Sequence, residues 1–439
     1  MLPHLKPLLT GIVLAPLLLL GAAPLAQSAG PAAGSADGSQ TVQREVSFEV
    51  QNVNRSKIPC EADGETYTVR GSITGPQHAL DDPQAATLFL HGLSYGEFFG
   101  NYTEQPGYNF AQKQAAAGHV TVTVDRLGYD SSDKPDGTGI CFGSRADIAH
   151  QIVTQLRSGE YQADDAAGAP AFEEVVLAGH SVGGIIAQAA AYSFGDIDAL
   201  MVLSYSDTTV SPAAMGALET AIAACEAGGG ISEGDPGSPG YVFFGTDTPE
   251  MFTMAHFFTQ NADPVIVDTT AAMRNMDPCG DITSYMAAVE TNKANIGSIT
   301  TPTLVLIGGE DAIYPIQAEE QAALLTGVQD ITSVTIPATG HAVTLHNTKD
   351  EFSAEVSAWL DSRGFGTSQM GQMPSGGADT GVAGTPAASN TNENAYEIIT
   401  GIGVVTGALV LAAGAAFGIS RRTANGPSNG SPTGGTDLS

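Results

Sequence analysis

The chain has 439 residues, 42% of them hydrophobic, and its 47 acidic against 16 basic residues give a net charge of −31. So acidic a balance excludes nucleic-acid binding and electrostatic docking on anionic lipid, both of which need clustered positive charge. Cys60, Cys141, Cys225 and Cys279 form neither Cys-x-x-Cys pairs nor part of a His-rich cluster, so no metal and no other cofactor is expected.

In chain order, residues 1–28 read as a secretory signal. A weakly positive start with His4 and Lys6 precedes an apolar stretch, and Ala26-Gln27-Ser28 offers a cleavage site. Residues 29–41 are Gly/Ala/Ser-rich. Two alternating strands are predicted at 42–52 and 66–73, then buried strands at 86–90, 119–124, 175–178, 199–203, 303–307 and 333–336. Helices are predicted over 108–117, 146–156, directly after Ser181, over 317–325 and over 349–360. This alternation implies an α/β fold: a doubly wound, mostly parallel sheet with an antiparallel start. Residues 207–301 hold no core strand and are expected to form a cap over the strand ends. The core is thereby divided into 42–206 and 302–363.

Residues 364–397 form a low-complexity polar stalk. The uncharged run at 398–419 is long enough to span a bilayer at ~1.5 Å per residue. Arg421 and Arg422 mark its far side as cytoplasmic, leaving 420–439 as a tail. The expectation is an exported ectodomain at the cell surface, held in the plasma membrane by one C-terminal helix. Export makes two disulfides the natural state of the cysteines. Cys60–Cys141 with Cys225–Cys279 is the preferred pairing, because the latter two share the cap; the other pairings stay open.

Gly179-His180-Ser181-Val182-Gly183 carries the chemistry. A strand-turn-helix at this point exposes the Ser181 hydroxyl on a sharp turn and aims a helix N-terminus at a developing anion. A serine needs a base, and the base an orienting acid. His341, between the last strand and last helix, is the preferred base, with His346 as its local rival. His78, His119, His150 and His256 read as structural or solvated. Asp311, past the strand at 303–307, is the preferred acid over its neighbour Glu310 and over Asp207. The oxyanion donors are expected to be the backbone N–H groups of Val182 and Leu93, with His91 bracing the loop.

Over about residues 42–364 the chain resembles the α/β-hydrolase superfamily. The likeness lies in His91-Gly92-Leu93, Asp125-Arg126-Leu127-Gly128-Tyr129-Asp130-Ser131-Ser132, Gly179-His180-Ser181-Val182-Gly183, Gly308-Gly309-Glu310-Asp311 and Gly340-His341. The order serine, acid, histidine is the order that family uses; Asp130 departs from its loop pattern. The resemblance implies a serine hydrolase of the esterase or lipase kind, acting on a small-molecule ester. An amide or lactone hydrolase and a non-catalytic binding module compete with that reading. Tyr241, Val242, Phe243, Phe244, Phe252, Met254, Phe257 and Phe258 are expected either to line an acyl pocket or to form the cap's own core.

Overall fold

The computed structural model describes residues 40–164, 168–231, 239–244 and 248–366. The signal segment, the 398–419 run, the tail and the stalk beyond residue 366 lie outside the described residues. Among the described residues, no helix is long and apolar enough to cross a membrane.

The chain opens with β1 (Thr41–Gln51) and β2 (Thr66–Pro76), followed by α1 (Gln77–Asp81), β3 (Ala85–Leu90), α2 (Phe110–Ala116), β4 (Thr121–Asp125) and α3 (Phe142–Ser158). Next come β5 (Gln162–Ala163), β6 (Glu174–His180), α4 (Val182–Phe194) and β7 (Ala199–Leu203). The insertion then supplies α5 (Pro212–Glu226), β8 (Gly230–Ile231), β9 (Pro239–Val242), α6 (Pro249–His256), α7 (Pro264–Met273), β10 (Asp277–Pro278) and α8 (Cys279–Asn295). The chain returns to the core with β11 (Thr303–Gly308), α9 (Ala318–Ala322), β12 (Ile331–Ile336) and α10 (Lys349–Asp361).

Among the described residues, nine strands make one sheet in the order β12-β11-β7-β6-β3-β4-β2-β1-β5. From β12 through β4 all pairs are parallel, and β4-β2, β2-β1 and β1-β5 are antiparallel. The short strands of the insertion join one another, in the order β10-β9-β8, and none of them enters the main sheet. The central strands are apolar throughout because both faces are covered. Val175 and Leu177 face one hydrophobic layer, while Val176 and Ala178 face the other. The same alternation places Leu200 and Val202 opposite Met201 and Leu203.

Element limits differ from expectation where side chains reach the backbone. α3 begins at Phe142, a turn earlier than predicted, because Ser144 Oγ accepts the Cys141 N–H at 3.2 Å and closes the first turn. α9 is shorter than predicted: past Ala322 the chain continues in i→i+3 turns, with Leu324 N–H bonded to Gln321 O and Leu325 N–H to Ala322 O. α5 begins where Ser211 accepts the Ala214 N–H and Pro212 occupies the first turn, where its missing N–H does no harm.

Both disulfides adopt the preferred pairing. Cys60–Cys141 ties the loop after β1 to the start of α3, with Cα atoms 6.3 Å apart. Cys225–Cys279, with Cα atoms 5.3 Å apart, joins the end of α5 to the start of α8 across 54 residues. Closing a loop of that length restricts the unfolded chain. The double substitution Cys225→Ser/Cys279→Ser should therefore lower stability by about 2–4 kcal/mol, read from chemical denaturation without reductant. An unchanged midpoint would show that the crosslink adds nothing.

Candidate active site

β6 delivers Ser181 to the end of the sheet, and α4 starts at the next residue. Ser181 has φ 55° and ψ −128°, a conformation that strains a residue with a side chain by about 1–3 kcal/mol. The turn survives because its surroundings leave the backbone no alternative. A Cβ on Gly179 would lie 2.0 Å from Gly183 O, and one on Gly183 2.4 Å from Leu90 O. Ser181 N–H is held by Leu203 O at 2.9 Å. Across the turn, a Cβ on Gly92 would meet Ser181 Cβ at 2.7 Å, so the loop after β3 lies directly against the serine.

Asp311 follows β11 and is fully engaged. Its Oδ1 accepts the backbone N–H groups of Ile313 and Tyr314 at 2.8 and 3.0 Å, and its Oδ2 accepts His341 Nδ1–H at 2.8 Å. Both partners are buried. The carboxylate thereby orients the imidazole and sets its tautomer, leaving Nε2 as the free basic nitrogen. That Nε2 is buried and has no hydrogen-bond partner, so the structure joins acid to histidine without a bond from histidine to serine. Ser181 lies beside them: the preceding His180 Nε2 is 2.9 Å from His341 O, the Tyr314 ring is 5.7 Å from the His341 ring, and Tyr314 and Ser181 line one small cavity.

The rival groups are committed elsewhere. His346 Nε2 accepts the N–H groups of Gly340 and Phe258 at 3.1 and 3.0 Å, and its Nδ1–H donates to Ala342 O. It therefore shapes the His341 loop and has no lone pair left to act as a base. Asp207 accepts from Tyr205 Oη and Gln321 Nε2, both at 2.7 Å. Glu310 is exposed. His119 lies 3.4 Å from Asp361, and His150 bonds Asp196.

Leu93 and Val182 line the small cavity into which Ser181 opens. His91 braces that loop as expected: Nδ1–H donates to Gly92 O at 2.8 Å and Nε2 accepts Arg126 N–H at 3.1 Å. Burial and the adjacent Arg126 charge hold its pKa well below the usual histidine range. A buried polar network absent from the sequence reading continues from there. Arg126 Nη2 donates to Gly92 O, Asp277 accepts Ser94 N–H at 2.7 Å and Tyr129 Oη–H at 2.8 Å, and Asp281 receives Arg145 Nη2–H at 2.9 Å and Arg126 Nη1–H at 3.3 Å. Asp277 and Asp281 come from the insertion, so the same charges that position the loop beside Ser181 also fasten the cap to the core.

The cavity at Ser181 measures about 20 Å³, room for one water, and the serine is 6% exposed. Next to it the cap and the loop after β11 line a partly open apolar chamber of about 640 Å³, with Met254 exposed at its rim. The two share Ala214, Phe244, His256 and Ile313, and this shared lining is the neck region between them. The cap aromatics meet one of their two expected roles, the pocket lining; those that do not line it pack with main-sheet residues such as Phe89 and Leu306 instead of forming a core of the cap. Tyr241, Phe243, Phe244 and Met254 line the chamber, whereas Phe252 and Phe257 pack into the core. His256 is neither solvated nor remote: it is buried at the neck, its ring 5.2 Å from that of His341. Tyr314 was in plain view three residues after Asp311. His256 carried no local signal, since the contact that matters spans 161 residues to Tyr95.

The chain resembles several solved hydrolase structures. An esterase from Thermogutta terrifontis is 17% identical, with 72% of this chain and 98% of that one covered and a TM-score of 0.48. An esterase from Exiguobacterium antarcticum is 17% identical over 71% and 100% of the two chains, at a TM-score of 0.49. A monoacylglycerol lipase from Paleococcus ferrophilus is 18% identical over 63% and 94%, at 0.45. The sequence pattern of the alpha/beta hydrolase family matches residues 87–355, more than half of the chain. On that match the chain belongs to the alpha/beta hydrolase family.

Proposed function

We propose that this protein is an exported, membrane-tethered serine hydrolase that cleaves carboxylic esters through an acyl-enzyme. The observation that carries this reading is the buried Asp311–His341 hydrogen bond beside a strained Ser181 turn. Ser181 Oγ attacks the ester carbonyl carbon while its proton passes to His341 Nε2. Asp311 keeps Nδ1 protonated and stabilises the imidazolium. The tetrahedral oxygen takes its charge between the N–H groups of Val182 and Leu93, helped by the N-terminus of α4. On collapse, the leaving alkoxide takes the proton from His341. Water then attacks the acyl-serine carbonyl and gives a proton to the same nitrogen; when the acyl–Oγ bond breaks, that proton passes to Ser181 Oγ, releasing the acid and restoring the free hydroxyl and neutral imidazole.

Ester is favoured over amide by the setting. The apolar chamber behind the neck suits a hydrocarbon arm, and its lining offers few polar groups to receive a peptide. Export is supported by the signal-like segment at 1–28 and by two disulfides, which form in oxidising compartments. Tethering rests on the uncharged run at 398–419 followed by Arg421 and Arg422.

Ser181→Ala should abolish hydrolysis of short p-nitrophenyl esters and labelling by a fluorophosphonate probe, with the circular-dichroism spectrum and melting midpoint retained; turnover equal to wild type would remove the mechanism. Asp311→Asn, which leaves the imidazole in the wrong tautomer, should lower kcat by about 10⁴-fold, measured on the same esters. A chain ending before residue 398 should appear in the culture medium, whereas the full chain should sediment with membranes. Full-length protein found free in the medium would end the tethering proposal.

A further inference from the structure

His256 reaches the neck between the Ser181 cavity and the cap chamber from the last turn of α6, and it lines both. Its ring is locked in place. It stacks on Phe252 with centroids 4.2 Å apart, and its Nδ1 is 2.8 Å from Tyr95 Oη. Its backbone carbonyl accepts Ala342 N–H at 2.9 Å, which joins the cap directly to the His341 loop.

The protonation of this ring follows from its neighbours. Burial, and then the nearby His341 and His180, hold the His256 pKa well below the usual range, so the imidazole is neutral. Burial likewise holds the Tyr95 phenol well above its usual range, so it keeps its proton. Donation from Tyr95 Oη–H to His256 Nδ1 satisfies both groups and places the remaining ring proton on Nε2. Nε2–H is buried and, among the described residues, has no acceptor. A buried, unmatched donor costs about 1–3 kcal/mol, and this one belongs to a side chain that lines both the serine cavity and the apolar chamber.

We propose that His256 Nε2–H is a specificity-determining donor, recognising an oxygen acceptor (ether, carbonyl or hydroxyl) in the arm of an ester that threads the neck into the chamber. The site thus selects esters whose apolar arm carries an oxygen close to the scissile carbonyl, over all-carbon esters of equal length. Tyr95 is a positioning residue that fixes the tautomer of His256. This inference rests on the ester-hydrolase reading of Ser181 and adds the substrate class.

The test compares p-nitrophenyl octanoate with its 3-oxa, 4-oxa and 5-oxa analogues, and octyl acetate with the matching oxa-alkyl acetates, so that either arm of the ester is sampled. The readout is the ratio of kcat/KM for an oxa ester to that for its all-carbon partner, from which any general loss of activity cancels. In at least one pair the wild-type ratio should exceed one by about threefold to tenfold, the worth of an ordinary hydrogen bond. His256→Leu should bring that ratio to one, His256→Gln should restore part of it, and Tyr95→Phe should lower it with the ring still in place. A ratio that His256→Leu and Tyr95→Phe leave unchanged in every pair overturns the proposal, as does a wild-type ratio of one throughout. Calorimetric binding of methyl octanoate and its oxa analogues to Ser181→Ala protein separates the two levels. Oxygen preference in binding without turnover in wild type would sink the catalytic reading and leave His256 as a donor; turnover without oxygen preference would do the reverse.

Discussion

Around Ser181, backbone packs against backbone with no space for a side chain between. Strand β6, helix α4 and the loop after β3 meet there, and Gly92, Gly179 and Gly183 each lie where a Cβ would overlap a neighbour. Such crowding holds the serine in a conformation that an isolated peptide would leave at once. It also brings two N–H-bearing segments, at Leu93 and Val182, to one small cavity. On the proposed mechanism, the geometry that would bind an oxyanion is a consequence of sheet and helix packing, and the strain is sustained by the parallel sheet on either side.

The cap is held by a different force. Arg126 and Arg145 from the core are buried against Asp281, and Asp277 caps the loop that carries Ser94. Buried ion pairs add little net stability over apolar packing, but they are strongly destabilised when one partner is removed. Here they join the start of α8 to two core guanidinium groups and, through Asp277, to the loop beside Ser181.

Much of the fold was legible beforehand. Runs such as 175–178 and 303–307 could only be strands covered on both faces, and the observed alternation of their side chains between two apolar layers agrees. The preferred cysteine pairing also holds. Helix ends were less legible, because the groups that close them, such as Ser144 on Cys141, act over a single turn and resemble ordinary polar residues. Asp311 and His341 were picked from acids and histidines of equal composition by their place after strands, and they lie 2.8 Å apart. His346 could be separated from His341 only by its two backbone donors, which no linear pattern displays.

From residues alone came the strand-turn-helix at Ser181, the alternation that builds a parallel sheet, and the chain order of serine, acid and histidine. These are local or periodic properties, and neighbouring residues suffice to state them. Tertiary structure decided which donors His346 and Asp207 would satisfy, how Arg126 and Arg145 would share Asp281, and that His256 would line both cavities with its Nδ1 against Tyr95. The physical reason is distance along the chain: these contacts join residues from 88 to 161 positions apart, except at Gly340, where the loop folds back on itself, and at Tyr205, two positions from Asp207. Contacts of that range are selected by the packing of whole elements, and no short stretch of sequence contains them.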